Sequence, residues 1–297
     1  MFVDALADAD FGWLAAGVLL HVCGQLSRGL AWREVLGASW SGVARRSACA
    51  WHVCGAGLTG VLSARGGDMV RMALAKRDLP GATWPALAGT LAAEGSFESL
   101  CGLALAVSAA ALGIGALGAP SPVLLVVVAA AAPAAVVLAV RCQRVRRIVR
   151  EVQRGLAVLG QPRRWLRRVL PFQVSARVLR LAAVSCFLLA FDLPVTPAVV
   201  LAACAAQGSG AMLPLPGAGP AGMGAALMVA LPIAGGHGVD RAAVEGLAVA
   251  MPVALTAVGA TLSALLLAVL SGARSPRALL RATAATAAPA AVAGADG

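Results

Sequence analysis

Long apolar segments separated by arginine-rich ones constrain this chain more than any other feature. The predominantly apolar segments lie at about residues 11–30, 85–117, 122–140, 178–193 and 243–270. A helix needs roughly 20 apolar residues to cross a bilayer, and in lipid a single chain segment satisfies its own backbone hydrogen bonds only as a helix. The pattern therefore predicts an all-α fold, a polytopic membrane bundle with about six full spans.

The composition agrees with a membrane protein. Of the 297 residues, 60% are hydrophobic and 12% are charged, whereas soluble domains are about half apolar and a quarter charged. The net charge of +11 comes almost wholly from arginine, since Lys76 is the only lysine. Because the arginines lie between apolar segments, they indicate cytoplasmic loops near anionic headgroups, and no nucleic-acid binding is expected.

The distribution of charge predicts the orientation. Acidic residues at positions 4, 8 and 10 precede the first span, and arginines at 28, 33, 45 and 46 follow it, so the N-terminus should lie outside as part of a retained anchor. The segment Arg141–Arg180 holds twelve arginines and one acid. It is expected to be cytoplasmic and to attract anionic lipid headgroups, either as an amphipathic helix on the inner leaflet or as a solvated loop. Three arginines after residue 270 place the C-terminus in the cytoplasm.

Two further apolar segments are interrupted. The segment 47–64 begins and ends beside basic residues, which is typical of a re-entrant unit, and the segment 197–233 contains a proline- and glycine-rich loop at 214–222. Opposed interrupted units in matching positions suggest an inverted repeat with a binding site at the midplane. The predicted organisation is one transmembrane domain over 1–281, with halves 11–140 and 175–270 joined by the basic segment 141–174, and a disordered alanine-rich tail over 282–297.

Glu94 and Glu98 are the most conspicuous candidate site residues. They lie four positions apart in an apolar helix, so both carboxylates share one face. Ionisable side chains at membrane depth are costly and usually face a protein interior or a wet cavity. They would line a path for a headgroup or for protons. Alternatively, Arg65, Arg71 or serine hydroxyls pair with them and hold helices together.

Two glycine-containing segments supply the other candidates. Arg65, Asp68 and Arg71 surround a kink that is expected at Gly66-Gly67, and paired guanidinium groups suit a phosphate. The alternative is that Asp68 caps a helix beginning after Gly67 while the arginines reach the interface. In the late loop, the backbone at Pro216, Gly217 and Gly219 would allow close approach of a ligand, or would form a tight packing corner.

Motifs for catalysis and metal binding are missing from the sequence. There is no Walker loop, no G-x-S-x-G, no H-E-x-x-H and no C-x-x-C pair among the seven cysteines. We therefore expect a non-enzyme with no catalytic residues, no metal and no cofactor. The small-residue runs Gly113-x-Gly115 and Gly208-x-Gly210 allow close helix packing, within one chain or in a homo-oligomer.

Four segments, in order, resemble the flippase-like transmembrane family that forms the membrane region of lysylphosphatidylglycerol synthases. They are Arg28-Gly-Leu-Ala-Trp-Arg33, Leu62-Ser-Ala-Arg-Gly-Gly-Asp-Met-Val-Arg71, the pair Glu94 and Glu98, and Pro214-Leu-Pro-Gly-Ala-Gly219. The chain departs from the family at Ser63, where proline is common, at Gly95, where arginine is expected, and at Gly222, where many members carry glutamate. The family's usual first span and its soluble synthase domain have no counterpart here.

The resemblance implies a stand-alone flippase or scramblase-like transporter in a bacterial-type plasma membrane. Its substrate would be a phospholipid or a lipid-linked molecule that moves between leaflets. Two alternatives remain open. One is a membrane-embedded enzyme acting on lipid or polyprenyl phosphates, with Glu94 or Glu98 as base. The other is an accessory subunit of a lipid-modifying system, in which the polar residues are structural.

Overall fold

The described part of the chain is helical. The computed structural model describes residues 9–62, 64–111, 143–210, 227–228, 231 and 241–271. Its main helices are α1 Phe11–Leu36, α2 Arg45–Leu62, α3 Ala64–Asp78, α4 Trp84–Ala111, α5 Gln143–Gly155, α6 Pro162–Ala190, α7 Pro197–Gly210 and α8 Arg241–Ser271. No strand occurs among these residues, which confirms the all-α fold class.

Three of the described helices are long and apolar enough to cross a membrane, which indicates a membrane-associated protein. They are Phe11–Leu36, Pro162–Ala190 and Arg241–Leu270. The predicted six full spans are not supported. Helix α4 has 28 residues but is not among these three, and the predicted span at 122–140 lies outside the described residues.

The basic segment at 141–174 does not form one connecting unit. Its first part is the amphipathic helix α5, whereas its last part belongs to α6, which begins at Pro162 and not near residue 178 as the charge pattern predicted. Proline suits the first turn of a helix because its fixed φ is already helical and its missing N–H needs no partner there. Arg177, predicted to lie among the orienting arginines, is therefore well inside a candidate span.

Helices α2 and α3 pack against each other as an antiparallel hairpin. Gly55 and Gly67 allow the close approach, because a Cβ atom on either residue would overlap the backbone carbonyl of the other. Gly66-Gly67 therefore lies inside α3 and does not form a kink, and Asp68 is not an N-cap, since its helix has already begun at Ala64. The hairpin shape agrees with a re-entrant unit, but its position relative to a membrane remains a prediction.

Helix α1 runs between two separate apolar cores and contacts α2, α4, α6 and α8. One core, with Phe187, Leu188 and Leu247, packs against the first half of α1. The other contains Trp32 and Leu36 from its second half. The residues of α1 between these cores, from about 21 to 28, include His21, Gln25 and Arg28, and these position the candidate site.

The second interrupted unit, 197–233, is described at α7 and at residues 227–228 and 231. The loop 214–222, with Pro216, Gly217 and Gly219, lies outside the described residues, as does the tail 282–297. The inverted repeat and the division into two halves therefore stay predictions.

Candidate functional site

Six charged side chains from four helices meet between the two apolar cores. We call them the central charge cluster: Arg28 of α1, Asp68 and Arg71 of α3, Glu94 and Glu98 of α4, and Arg177 of α6. Three arginines face three carboxylates, so these six side chains balance one another, and Arg180 of α6 interacts with Arg28, Glu98 and Arg177 from beside them. Burying an unpaired charge costs roughly several kcal/mol. The pairing of opposite charges therefore allows these side chains to lie among apolar helices.

The innermost pair joins Arg71 to Glu94. Arg71 Nη1 donates to Glu94 Oε2 at 2.8 Å, and the Glu94 side chain is only 3% exposed. The Arg71 guanidinium also lies over the Trp32 ring, 5.2 Å from its centroid, which adds a cation–π contact. Asp68, one turn earlier on α3, accepts from the other side of Arg71 at 2.8 Å.

The outer part of the cluster is half-exposed and is shared by three helices. Arg177 Nη2 donates to Glu98 Oε2 at 2.5 Å. Arg28 lies between the two glutamates, 3.6 Å from Glu94 and 3.9 Å from Glu98. The side chains of Arg28 and Glu98 are each about a third exposed, and that of Asp68 is 48% exposed. The cluster therefore extends from a buried interior to the protein surface.

Uncharged hydrogen bonds fix the helices around the inner pair. The Trp32 indole donates to the Thr90 hydroxyl at 3.1 Å, and Thr90 donates to the Leu87 carbonyl at 2.7 Å. From α6, the Gln173 amide donates to the backbone carbonyl of Glu94 at 3.3 Å. Because Trp32 and Thr90 are fully buried, these bonds orient the ring beneath Arg71.

A hydrogen-bonded chain leads from Arg71 to the first half of α1. Arg71 Nη1 lies 3.0 Å from His52 Nδ1, and arginine can only donate, so His52 accepts there and carries its proton on Nε2. That nitrogen donates to Gln25 Oε1 at 3.2 Å, and Gln25 Nε2 donates to His21 Nε2 at 3.2 Å. The network thus assigns a neutral ring to both histidines.

A small cavity of about 40 Å³ adjoins the end of this chain, between α1, α2 and α8. His21 and Gln25 are the polar side chains among its lining residues, which are otherwise apolar or glycine. A water molecule occupies about 30 Å³ in the liquid. The cavity therefore has room for water beside His21.

Several buried polar atoms of the cluster have no hydrogen-bond partner within the described residues. They are Glu94 Oε1, Arg71 Nε, Arg177 Nε and Gln173 Oε1. Buried donors and acceptors are nearly always satisfied by protein or water. These atoms therefore provide capacity for water or for a polar group of a ligand.

Four of the predicted site residues come together, and four do not enter the described site. Asp68, Arg71, Glu94 and Glu98 belong to the cluster. Arg65 lies in α3 with its side chain outside the description, and Pro216, Gly217 and Gly219 are outside the described residues.

Arg28, Arg177, His52 and Gln173 were missed, although the sequence contains a signal for some of them. His21, Gln25 and Arg28 follow i, i+4, i+7 spacing on α1, and Gln173, Arg177 and Arg180 follow the same spacing on α6. A polar stripe of this kind on an apolar helix indicates a buried polar face.

The paired charges of the cluster suit exchange of charged partners. Both glutamates are engaged by arginines. Within the described residues, no group of three or more His, Cys, Asp or Glu side chains could hold a metal ion. A guanidinium that leaves its carboxylate can bind a phosphate through two parallel N–H donors.

No protein-family model, curated protein or solved structure matches this chain. The resemblance to the flippase-like family therefore stays a prediction from the motifs alone.

Proposed function

We propose that this protein is an integral membrane transporter that moves a phospholipid or a lipid-linked molecule between leaflets, as a flippase or scramblase. The central charge cluster is the observation that carries the proposal. It is a set of three arginines and three carboxylates, buried at Glu94 and half-exposed at Arg28, Glu98 and Asp68. The protein would lie in a bacterial-type plasma membrane, with its N-terminus outside and its C-terminus in the cytoplasm.

The gradient of exposure supports a path for a headgroup. A phosphate that arrives at the half-exposed end meets Arg28 first, and it can replace Glu98 as the partner of Arg177. The released carboxylate then accepts from an ammonium or hydroxyl group of the same headgroup. Since charges are exchanged and none is left unpaired, the barrier stays lower than for an ion crossing hydrocarbon. The acyl chains would stay in the bilayer.

The test is leaflet exchange of fluorescent phospholipids in proteoliposomes. Wild type is compared with Glu94→Gln/Glu98→Gln and with Glu245→Gln, a control whose carboxylate forms an exposed pair with Arg241 on α8. We expect fast exchange in wild type and in the control, and loss of exchange in the double variant. Thermal unfolding and size-exclusion profiles establish that the double variant is folded. Equal exchange in all three proteins, or none in wild type with several headgroups, would refute the proposal.

One observation favours a second candidate, a non-transporting accessory subunit. The six charges of the cluster balance one another without any ligand, so its ion pairs could serve only to hold α1, α3, α4 and α6 together. This function predicts stable association with a lipid-modifying enzyme. It also predicts that variants of the cluster unfold more readily and that neither they nor the wild type transport lipid. The enzyme alternative has less support, because a base needs a free carboxylate and Glu94 is held by Arg71 and Arg28.

A further inference from the structure

A second group of arginines lies near the C-terminal end of α1, beyond Arg28 of the central charge cluster. It surrounds a cleft of about 360 Å³ that we call the arginine cleft, lined by Leu30, Arg33, Glu34, Arg45, Arg167, Arg168 and Phe172. The second half of α1, the first residue of α2 and the first turns of α6 supply these residues. The volume falls in the range of small-molecule sites, about 300–1,000 Å³.

The charge of the arginine cleft is strongly unbalanced. Four of its lining residues are arginines, and Glu34 is the one carboxylate among them. Glu34 is only 8% exposed and is paired with Arg33, while Arg168 lies 4.0 Å away. Arg45 and Arg167 are exposed at the rim. A single buried carboxylate cannot neutralise four guanidinium groups, so the cleft keeps a positive potential that selects an anion.

The geometry of the arginines is partly fixed. Arg33 Nε donates to the Val43 carbonyl at 3.1 Å, which holds its side chain toward the turn between α1 and α2. Arg164, one turn before Arg168 on α6, approaches the Glu34 carbonyl at 3.5 Å. Guanidinium groups held from several sides bind phosphate through paired N–H donors, and pre-positioning reduces the entropy lost on binding.

The apolar lining distinguishes a lipid from a soluble anion. Leu30 and Phe172 form part of the wall, and on the outer surface of α6 the side chains of Leu166 and Val174 are 53% and 44% exposed. Since α6 is a candidate span, such side chains suit contact with acyl chains. A phosphate group bound by the arginines could therefore remain attached to chains that lie along α6.

The arginine cleft is separate from the central charge cluster. Glu34 follows Arg28 by six residues of α1, about 9 Å along the axis, and the buried side chains of Ala31 and Trp32 lie between them. From these observations we infer that the arginine cleft is a binding site for the phosphate group of an anionic lipid, distinct from the path proposed for transport. This inference applies whether the protein is a transporter or an accessory subunit.

The experiment uses the full chain, purified in a neutral detergent, and native mass spectrometry with dioctanoyl phosphatidic acid. Arg167→Gln/Arg168→Gln removes two cleft arginines that lie on the surface, so the fold should survive. Arg77→Gln/Arg241→Gln is the matched control, since it removes the same charge from exposed positions that lie outside both the cleft and the segment 141–180. We expect about tenfold weaker binding in the cleft variant, which corresponds to roughly 1.4 kcal/mol, and unchanged binding in the control.

The outcomes separate the possible sources of the phosphate. Equal weakening in both variants, or in neither, would overturn the inference, because binding would then depend on net charge or on another surface. Inorganic phosphate serves as competitor. If millimolar inorganic phosphate displaces the lipid, the cleft recognises phosphate alone and a soluble ester is its ligand. If it does not, the apolar wall contributes and the ligand is a lipid. Dioctanoyl phosphatidylcholine should bind less tightly, because its headgroup has no net charge.

Discussion

The central charge cluster and the arginine cleft are both rich in arginine, but they differ in balance and in exposure. The cluster pairs three arginines with three carboxylates, and its inner pair, Arg71 and Glu94, is almost completely buried. The cleft places four arginines around Glu34, and Arg168 is 65% exposed. Arginine therefore occurs in two settings in this protein: paired with carboxylates in the interior, and in excess over carboxylates at the surface.

The difference follows from the cost of desolvation. In the interior an arginine is tolerated only with a carboxylate beside it, and removal of either partner leaves a buried charge. At the surface water solvates the excess charge, so the arginines need no partner and stay available to a ligand. Buried pairs should thus dominate stability, and surface arginines should dominate binding. The predictions that follow test this division, from the largest expected effect to the smallest.

Arg71→Met should cause the largest loss of stability. The change leaves Glu94 buried without its closest partner and removes the contact with Trp32, so the free energy of unfolding should fall by about 3–5 kcal/mol. Denaturant titration of the purified protein measures it. Arg168→Met serves as the comparison and should change the value by less than about 0.5 kcal/mol. Comparable losses in the two variants would mean that burial does not distinguish the two regions.

Thr90→Val should come next. The substitution keeps the shape but removes the acceptor of the Trp32 indole, which is fully buried. An unsatisfied buried donor costs about 1–3 kcal/mol. Thr261→Val is the control, because that hydroxyl donates to Ala257 of its own helix on an exposed face. Unfolding curves of the two variants should differ clearly, and a Thr90 variant as stable as the control would show that the ring is not held by this bond.

The outer pair should show a smaller coupling. A double-mutant cycle of Glu98→Gln and Arg177→Gln measures their interaction in the free energy of unfolding, and we expect about 0.5–3 kcal/mol. Arg28 also approaches Glu98 and takes over part of the charge, which favours the lower half of that range. The same cycle on Arg241 and Glu245, an exposed pair one turn apart on α8, should give about 0.3–0.5 kcal/mol. If the two cycles gave equal coupling energies, the pair of Glu98 and Arg177 would behave like an exposed surface pair.

The sequence could predict those site residues that are related to each other by their spacing within one helix or one short segment. Glu94 and Glu98 share a face by spacing alone, and Asp68 and Arg71 are one turn apart. The fold class followed from apolar segment length. Both inferences use only local periodicity, which the sequence contains directly.

The residues that were missed depend on helix ends and on neighbours in space. Arg28 was assigned to the end of a span near residue 30, but α1 continues to Leu36. Arg177 was assigned to the basic cytoplasmic segment because α6 was expected to begin near residue 178. Gly66-Gly67 predicted a kink, whereas contact between Gly67 and Gly55 keeps that segment helical, so that packing overrides helix propensity.

Salt concentration should affect the arginine cleft and the central charge cluster differently, and this is the smallest of the expected effects. Screening shortens the range of charge interactions from about 10 Å at 0.1 M to about 3 Å at 1 M. It acts on exposed charges such as Arg168 more than on a pair as buried as Arg71 and Glu94. Binding of dioctanoyl phosphatidic acid should therefore weaken several-fold over this interval, whereas the stability difference between wild type and Arg71→Met should stay the same. If salt reduced that difference as well, water and ions would reach the inner pair, and the central charge cluster would be an open surface like the arginine cleft.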